Sequence, residues 1–242
     1  MPPVTTVDIL RRASPTISVG VLSADLMALG AQLALLEEAG VQVAHVDVMD
    51  GCFTPMMTVG PPFIKALKTP LLKDAHLMVE EPVAKLGDYV AAGADVITMH
   101  VESTRHVHRA LQQLGGMENA NDPARGIVRG VALNPGTPLT AIAPLLDEIE
   151  MIVLLAVNPG WSGQRFIPAT ERRMAQAREL IASSGRDLLL CVDGGVTRDN
   201  IAQVAKMGAD LIVTGSAVFD GKSPLDNVRF MLDACRSARG TD

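Results

Sequence analysis

Two short segments place residues that could bind a metal or move a proton at every second position. Residues 45–51 read His-Val-Asp-Val-Met-Asp-Gly, and residues 74–78 read Asp-Ala-His-Leu-Met. Both segments are typical of β-strands, in which side chains at i and i+2 lie on the same face. We therefore expect His45 and Asp47 to lie on one face of their strand, and His76 to share a face with Asp74 and Met78. Imidazole nitrogen and carboxylate oxygen are ligands for divalent metals, so this spacing predicts a metal site.

Simpler interpretations exist for several nearby residues. Met49 and Met78 would be ordinary core residues, and Asp74 could be a structural carboxylate deep in the fold. Asp50 fits a turn with the glycine that follows it. His100 would either line a pocket or bond to backbone.

The composition excludes several classes of function. The chain has 242 residues, of which 48% are hydrophobic and only 3% aromatic, and its net charge is −6. An aromatic platform for single-stranded nucleic acid is therefore not expected, nor is binding to nucleic acid in general. A small phosphorylated metabolite remains compatible, because backbone amides can bind phosphate without Lys or Arg.

Cysteine usage and hydropathy indicate a cytoplasmic protein. Cys52, Cys191 and Cys235 show no CxxC spacing, as expected of a reduced compartment. No apolar run is long enough to cross a bilayer, and the N-terminus lacks the apolar region of a signal peptide. We therefore expect no membrane partner.

Strand-like and helix-like segments alternate along the chain. The predicted strands are Ile17–Leu22, Val43–Val48, Leu71–Met78, Val96–Val101, Gly130–Leu133, Met151–Val157, Leu188–Val192 and Leu211–Thr214. The predicted helices between them include Leu26–Ala39, Val83–Ala92, Pro138–Asp147, Pro168–Ser183 and Arg198–Met207. Eight strand–helix units favour a single α/β (β/α)8 TIM barrel. An open doubly wound sheet is the alternative, although no G-x-G-x-x-G motif follows the first strand.

Three glycines support the α/β pattern. Gly40, Gly93 and Gly208 each precede a predicted strand, and each fits the left-handed residue that ends a helix. Glycine is favoured at helix-to-strand turns in every α/β fold, so this spacing supports the class rather than barrel closure.

No linker divides the chain, and we expect one domain over residues 1–242 with a core of about residues 16–236. Residues 115–125 are polar and rich in turn formers, which predicts a surface loop. About the first dozen residues and Arg239–Asp242 are expected to fray.

Polar and glycine-rich residues collect after the predicted strands, where barrel active sites lie. Asp193 ends the seventh strand and is followed by Gly194 and Gly195. Residues 160–163 (Gly-Trp-Ser-Gly) follow the sixth strand, and residues 215–216 (Gly-Ser) follow the eighth. Glycine-rich loops after three consecutive strands predict a phosphate site built from backbone amides.

Taken in order, these residues resemble the ribulose-phosphate 3-epimerase family, over about residues 17–219. The family's activity is the 3-epimerisation of a ketose phosphate. The matching segments are Leu22-Ser23-Ala24-Asp25, residues 45–51, Gly60-Pro61-Pro62, His76-Leu77-Met78-Val79, Asn134-Pro135, Val157-Asn158-Pro159-Gly160, Gly163-Gln164, Phe166-Ile167-Pro168, Val192-Asp193-Gly194-Gly195 and Gly215-Ser216-Ala217.

The resemblance implies a homo-oligomeric enzyme, a dimer or a hexamer, with one divalent metal per subunit. The implied metal ligands are His45, Asp47, His76 and Asp193. Of these, Asp47 and Asp193 would also be the acid–base pair, moving a proton off one face of the carbon beside the ketone and onto the other. The metal would stabilise the enediolate between these steps as a Lewis acid.

The resemblance also assigns the substrate's surroundings. Met49 and Met78 would border the reacting carbon, and His76 would face the substrate. The phosphate would lie on Gly160, Trp161, Ser162, Gly163, Gly194, Gly195, Gly215 and Ser216.

Several positions near the expected sugar depart from the family's pattern. Gly20 stands where a serine contacts substrate, Cys52 replaces a usual His, and Met56 replaces a usual Asn. Leu155 replaces a usual third pocket methionine, and Trp161-Ser162 replaces a common Phe-Gly. None of these is an implied metal ligand or acid–base residue, so the reaction type is retained while the sugar is left open.

The leading hypothesis is an isomerase of the pentose phosphate pathway that interconverts D-ribulose 5-phosphate and D-xylulose 5-phosphate. A different ketose phosphate, such as a hexulose 6-phosphate or a tetrulose phosphate, is the alternative substrate. A non-catalytic sugar-phosphate-binding barrel is a third reading, and the four costly polar groups speak against it. A Schiff-base aldolase is not expected, because no Lys ends a predicted strand. Zn²⁺, Fe²⁺, Mn²⁺ and Co²⁺ all suit the implied ligands.

Overall fold

The computed structural model describes residues 3–161 and 163–238. Its eight strands form a closed parallel barrel in chain order, with β8 paired to β1. They are β1 (Thr16–Gly20), β2 (Val43–Met49), β3 (Leu72–Met78), β4 (Val96–His100), β5 (Val128–Leu133), β6 (Met151–Leu155), β7 (Leu189–Asp193) and β8 (Leu211–Thr214). The predicted (β/α)8 barrel is confirmed, and each predicted strand end lies within two residues of the observed one.

Eight α-helices accompany the strands in the described residues. They are α1 (Thr6–Ala13), α2 (Leu29–Glu38), α3 (Pro61–Ala66), α4 (Leu86–Ala91), α5 (Val107–Gly115), α6 (Ala169–Ser184), α7 (Ile201–Lys206) and α8 (Pro224–Ser237). Gly40, Gly93 and Gly208 follow α2, α4 and α7 with φ of +82°, +88° and +85°. The predicted left-handed helix ends are therefore confirmed.

The predicted helix over Pro138–Asp147 is wrong in type. The connection from β5 to β6 contains two 3₁₀ helices instead, Leu139–Ala141 and Ala143–Glu148. Two prolines, Pro138 and Pro144, fall within this short segment. Because proline has no backbone N–H to donate, a continuous α-helical hydrogen-bond ladder cannot form across it.

The expectation that the first dozen residues fray is also wrong. Helix α1 begins with a capping box, in which the amide of Asp8 donates to Oγ1 of Thr5 and the amide of Thr5 donates back to Oδ2 of Asp8. Leu10 is only 2% exposed and packs among Val43, Leu72 and the other apolar residues at the lower end of the barrel interior. Helix α1 therefore closes the end of the barrel opposite the carboxyl ends of the strands.

Residues 115–125 are mostly exposed, and side-chain hydrogen bonds anchor this polar segment to the barrel. Asn119 is fully buried, and its Nδ2 donates to Oδ1 of Asp95 at 3.1 Å and to the carbonyl of Gly126 at 2.8 Å. Arg125 also contacts Asp95, with 3.0 Å between Nη2 and Oδ1. These bonds tie the segment to the start of β4.

The alternation of side chains along β2 separates the two apolar layers. Ala44, Val46 and Val48 belong to the layer between the strands and the helices, whereas Val43 lies inside the barrel. The next two inward positions of β2, His45 and Asp47, are polar, and this places the chemistry-bearing residues at the carboxyl end of the barrel. Within the described residues, no helix has the length and apolar character needed to span a membrane.

Candidate metal centre and substrate rim

Strands β2 and β3 pair so that their polar residues fall on matching rungs. His45 is opposite Asp74, Asp47 is opposite His76, and Met49 is opposite Met78. The predicted sharing of faces within each strand therefore extends across the pair. On the other side of β2, Gly20 of β1 is the register partner of His45.

Four side chains converge at the carboxyl end of the barrel: His45, Asp47, His76 and Asp193. Oδ1 of Asp47 lies 3.1 Å from Nε2 of His45 and 3.1 Å from Nδ1 of His76. Oδ2 of Asp193 lies 3.1 Å from Nδ1 of His76 and 3.9 Å from Nε2 of His45. One ligand atom from each residue lies within 4.8 Å of all the others.

This donor set fits one divalent ion. Four ligands at about 2.1 Å in a tetrahedron lie about 3.4 Å from each other, close to the 3.1–3.9 Å separations between these nitrogens and oxygens. Two imidazoles with two carboxylates suit Zn²⁺ and other first-row metals. His45, His76 and Asp193 are buried, so water would compete little for the ion.

Asp74 orients His45. Its Oδ2 lies 2.7 Å from Nδ1 of His45 and accepts a hydrogen bond from Oγ of Ser18 at 3.0 Å. A carboxylate behind a histidine ligand fixes the ring and its tautomer, which leaves Nε2 of His45 toward the centre. Asp74 is therefore a structural carboxylate, as one sequence interpretation proposed, because it orients the candidate ligand His45.

His100 occupies a place that neither sequence interpretation described. Its Nε2 lies 2.9 Å from Nε2 of His76, and its Nδ1 lies 3.3 Å from Oε2 of Glu102. The ring is fully buried and its nitrogens contact these two side chains. The His-x-Glu spacing of residues 100–102 repeats the His-x-Asp spacing of residues 45–47, and this signal could have revealed the pair.

The charges in the cluster are strongly coupled. Burial alone would lower the pKa of His45, but Asp74 and Asp47 raise it well above its usual value. At His76 hydrogen bonds to Asp193 and Asp47 likewise outweigh burial and raise the pKa to about 9. Burial opposes ionisation of Asp47, yet His45 and His76 hold the pKa of that carboxyl well below its usual range. The positive charge of the protonated imidazoles therefore balances the carboxylates, as a bound cation would.

The loops after β6 and β7 lie against one another at two glycines. Gly194 and Gly195 have φ of +102° and +68°, a region that favours glycine. A Cβ on Gly194 would lie 2.3 Å from Cγ2 of Val157, and one on Gly195 would lie 2.7 Å from the amide nitrogen of Phe166. Only glycine permits this approach between the two loops.

The loop after β8 lies close to the end of β1 in the same way. A Cβ on Gly215 would lie 2.6 Å from Oγ of Ser23 and 3.0 Å from the carbonyl of Gly20. Ser216, the next residue, is exposed. The three glycine-rich loops are thus neighbours on one rim, as the sequence predicted, and their role in phosphate binding stays a prediction.

The loop after β6 is held by a side chain that the sequence analysis gave no role. Nε2 of Gln164 donates to the carbonyls of Asn158 and Trp161, and its Oε1 accepts from the amide of Asn158. Gly160 is buried, while Trp161 and Gly163 are exposed. The predicted phosphate residue Ser162 lies outside the described residues.

The remaining residues predicted to line the substrate pocket differ in their burial. Met78 and Leu155 are buried, Met49 is half-buried, and Cys52 and Met56 are exposed on the loop after β2. Leu155 is the register partner of Asp193, which places it beside the candidate metal centre.

The fold and site define a (β/α)8-barrel enzyme with a two-histidine, two-aspartate candidate metal centre. The model of the family described as "Ribulose-phosphate 3 epimerase family" matches residues 16–219. The chain belongs to this family.

Named relatives agree over most of their length. The Escherichia coli K12 protein named ribulose-phosphate 3-epimerase is 41% identical over 221 residues, which cover 88% of this chain and 94% of that protein. The Bacillus subtilis protein of the same name is 37% identical, with 86% and 95% covered. The chloroplastic ribulose-5-phosphate-3-epimerase of Arabidopsis thaliana is 39% identical, with 92% and 78% covered.

Solved structures with the same fold are more distant in sequence. KGPDC from Streptococcus mutans superimposes with a TM-score of 0.66 at 16% identity, covering 93% of this chain and 99% of that one. The 3-hexulose-6-phosphate synthase of Salmonella typhimurium gives 0.62 at 17% identity, covering 92% and 99%. At these identities the likeness concerns the barrel alone.

Proposed function

We propose that this enzyme interconverts D-ribulose 5-phosphate and D-xylulose 5-phosphate by epimerisation at C3, as an isomerase of the pentose phosphate pathway. One observation carries the proposal: Asp47 of β2 and Asp193 of β7 bring their carboxylates to the same nitrogen, Nδ1 of His76, at 3.1 Å each. Epimerisation needs two proton-transfer groups, one for each face of the reacting carbon, and two carboxylates from different strands meet that need.

In this mechanism one aspartate removes the proton from C3, and the other returns a proton to the opposite face. His45 and His76 hold the pKa of Asp47 well below its usual range, so this carboxyl is ionised and has the lone pair needed to accept a proton. The histidines orient the carboxylates, and the buried surroundings of Asp193 keep bulk water from returning the proton at random. The thioethers of Met49 and Met78, on one rung of the β2–β3 pair, would line the reacting carbon without offering a competing base.

His45, Asp47, His76 and Asp193 would hold one divalent ion per subunit. When bound, such an ion supplies Lewis-acid stabilisation of the negative charge that develops on the substrate's oxygens. The ligands suit Zn²⁺, Fe²⁺, Mn²⁺ and Co²⁺, and elemental analysis of the purified protein would identify the ion.

The phosphate of the substrate would lie on the rim formed after β6, β7 and β8. Support comes from the adjacency of Gly195 to the β6 loop and of Gly215 to the end of β1. Backbone amides in such loops bind phosphate without a cationic side chain. The residues proposed for this contact are Gly160, Trp161, Ser162, Gly163, Gly194, Gly195, Gly215 and Ser216.

A second candidate substrate is a different ketose phosphate, such as a hexulose 6-phosphate or a tetrulose phosphate. Gly20 lies on the rung of His45 and offers no side chain, while a Cβ there would meet nothing closer than 3.5 Å. Room for a larger or differently hydroxylated sugar therefore exists beside a candidate ligand. Comparing kcat/KM over a panel of ketose phosphates decides between the substrates.

The proposed function is tested with D-ribulose 5-phosphate and two variants, Asp47→Asn and Asp193→Asn. Each amide is close to the shape of the carboxylate but cannot act as the base, so both variants should remain folded and lose turnover. Asp187→Asn is the matched control, because Asp187 is exposed and pairs only with Arg11 near the closed end of the barrel among the described residues. Full activity in either site variant would contradict the acid–base assignment.

We further propose a cytoplasmic homo-oligomer, a dimer or a hexamer, in which residues 1–242 form one domain. Large exposed apolar side chains support self-association, since Met27 is 96% exposed and Met57 is 78% exposed. Light scattering after size-exclusion chromatography would give the number of subunits. A single unfolding transition would support the single domain.

A further inference from the structure

We propose that His100 and Glu102 are positioning residues for the candidate metal centre, and that they fix the imidazole proton of His76 on Nε2 so that Nδ1 is left to bind the ion. The inference rests on the proposed function only in assuming that an ion binds at this centre. It concerns two residues outside the set of four candidate ligands, His100 at the end of β4 and Glu102 just after it.

The two nitrogens of His76 have different surroundings. Nδ1 faces the carboxylates of Asp47 and Asp193 at 3.1 Å, so it is the nitrogen on the side of the ion. Nε2 lies 2.9 Å from Nε2 of His100. The two rings are inclined by only 17° with centroids 5.0 Å apart. A centroid separation so much larger than the nitrogen separation means that the rings meet edge to edge, as a hydrogen bond requires.

The number of N–H groups on each neutral ring then fixes the tautomers of His76 and His100. A neutral imidazole has one N–H donor and one bare acceptor nitrogen, and a metal takes the bare one. If Nδ1 of His76 binds the ion, its proton is on Nε2 and is donated to His100. The Nε2 of His100 must therefore be bare, and its own proton must be on Nδ1.

Glu102 provides the acceptor for that second proton. Its Oε2 lies 3.3 Å from Nδ1 of His100, within ion-pair range, although the N–H is not aligned on that oxygen as a hydrogen bond requires. Its Oε1 already accepts from the amide of Asn134 at 2.8 Å and from Oγ1 of Thr137. Two donors from the segment after β5 thus hold the carboxylate with its second oxygen toward His100.

The surroundings keep His100 in this place. The ring is fully buried and lies 4.7 Å, centroid to centroid, from the ring of Phe53. Hydrogen bonds in such a dry site are stronger than in water. Both candidate ligand histidines therefore have a carboxylate behind them: Asp74 directly behind His45, and Glu102 behind His76 through His100.

The variant Glu102→Gln tests the direction of proton donation, which runs from His76 to His100 and from His100 to Glu102. Because Oε1 serves two donors, the amide oxygen of Gln is expected to stay there and its NH₂ group to face His100. That NH₂ would donate to Nδ1 and drive the proton of His100 to Nε2, against the N–H of His76. We expect Zn²⁺ affinity, measured by competition with a chelator, to fall about 10–100-fold.

Ser103→Ala is the matched control for loosening of the same loop. Oγ of Ser103 donates to the carbonyl of His100 at 2.7 Å, so its removal disturbs the backbone without touching the ring nitrogens. Zn²⁺ affinity should stay within about twofold of wild type, since no ligand-orienting bond is lost. Equal losses of affinity in Glu102→Gln and Ser103→Ala would overturn the positioning role.

The decisive experiment is long-range ¹H–¹⁵N NMR of histidine-labelled protein loaded with Zn²⁺, which has only five histidines to assign. We expect Zn²⁺-shifted Nδ1 and protonated Nε2 in His76, and protonated Nδ1 in His100. Zn²⁺ bound at the centre with His100 protonated on Nε2 would overturn this inference and leave the proposed function standing. Absence of Zn²⁺ shifts at both His45 and His76 would overturn the metal centre and the inference with it.

Discussion

Asp47 of β2 and His76 of β3 are opposite each other on one rung of the barrel, with Oδ1 of the carboxylate 3.1 Å from Nδ1 of the imidazole. The rung below pairs His45 with Asp74, and the rung above pairs Met49 with Met78. A slip of one residue by either strand would turn the side chains of that strand to the other face. The register of a single strand pair therefore brings together three of the four candidate metal ligands.

Loss of the side chain that closes the barrel should destabilise the protein. Leu10→Ala is expected to lower the free energy of unfolding by about 2–5 kcal/mol, because it leaves a cavity in a packed interior. Val4→Ala is the control, since Val4 is 41% exposed. Chemical denaturation measures both, and equal small effects would contradict the role of α1 as a plug.

A methyl group at Gly130 should also destabilise the barrel. A Cβ there would lie 2.3 Å from Oγ1 of Thr98 and 3.2 Å from Cε of Met151. Gly130→Ala is expected to lower the free energy of unfolding by about 1–3 kcal/mol through overpacking. Gly136→Ala, where a Cβ meets nothing within 4 Å, should change it by less than about 0.5 kcal/mol; a larger loss at Gly136 than at Gly130 would refute the argument.

Metal binding should release protons and strengthen as pH rises. In the metal-stripped protein the pKa of His76 is raised to about 9 and that of His45 well above its usual value, so both imidazoles are protonated at pH 7. A divalent ion must displace these protons. Calorimetry in buffers of different ionisation enthalpy should therefore report proton release, and an affinity independent of pH between about 6 and 9 would be inconsistent with the cluster.

The same pKa sets the pH dependence of the stripped protein's stability. A histidine whose pKa is higher in the folded state contributes stability that is fully present below its unfolded value of 6.5. That contribution is lost as pH rises toward about 9, because the folded state then gives up the proton that it held more tightly. The metal-loaded protein, with no such protons, should lack this loss.

The fold and the polar spacing were readable from the sequence because both depend on short-range periodicity. His45-x-Asp47 and the glycines at 40, 93 and 208 are local patterns, and the structure bears out the geometry that they predict. Helix α1 was missed because Thr5 and Asp8 form a capping box whose value depends on Leu10 finding the barrel interior. The contact between His76 and His100 could not be seen in either strand alone, since it joins β3 to β4.

In the proposed mechanism two different carboxylates exchange protons with the two faces of C3, and epimerisation in D₂O followed by NMR of the product tests this directly. We expect D-xylulose 5-phosphate formed from D-ribulose 5-phosphate to carry deuterium at C3 from the first turnover, because the second aspartate returns a proton that has exchanged with solvent. Product that retains the original hydrogen at C3 would contradict the two-aspartate mechanism.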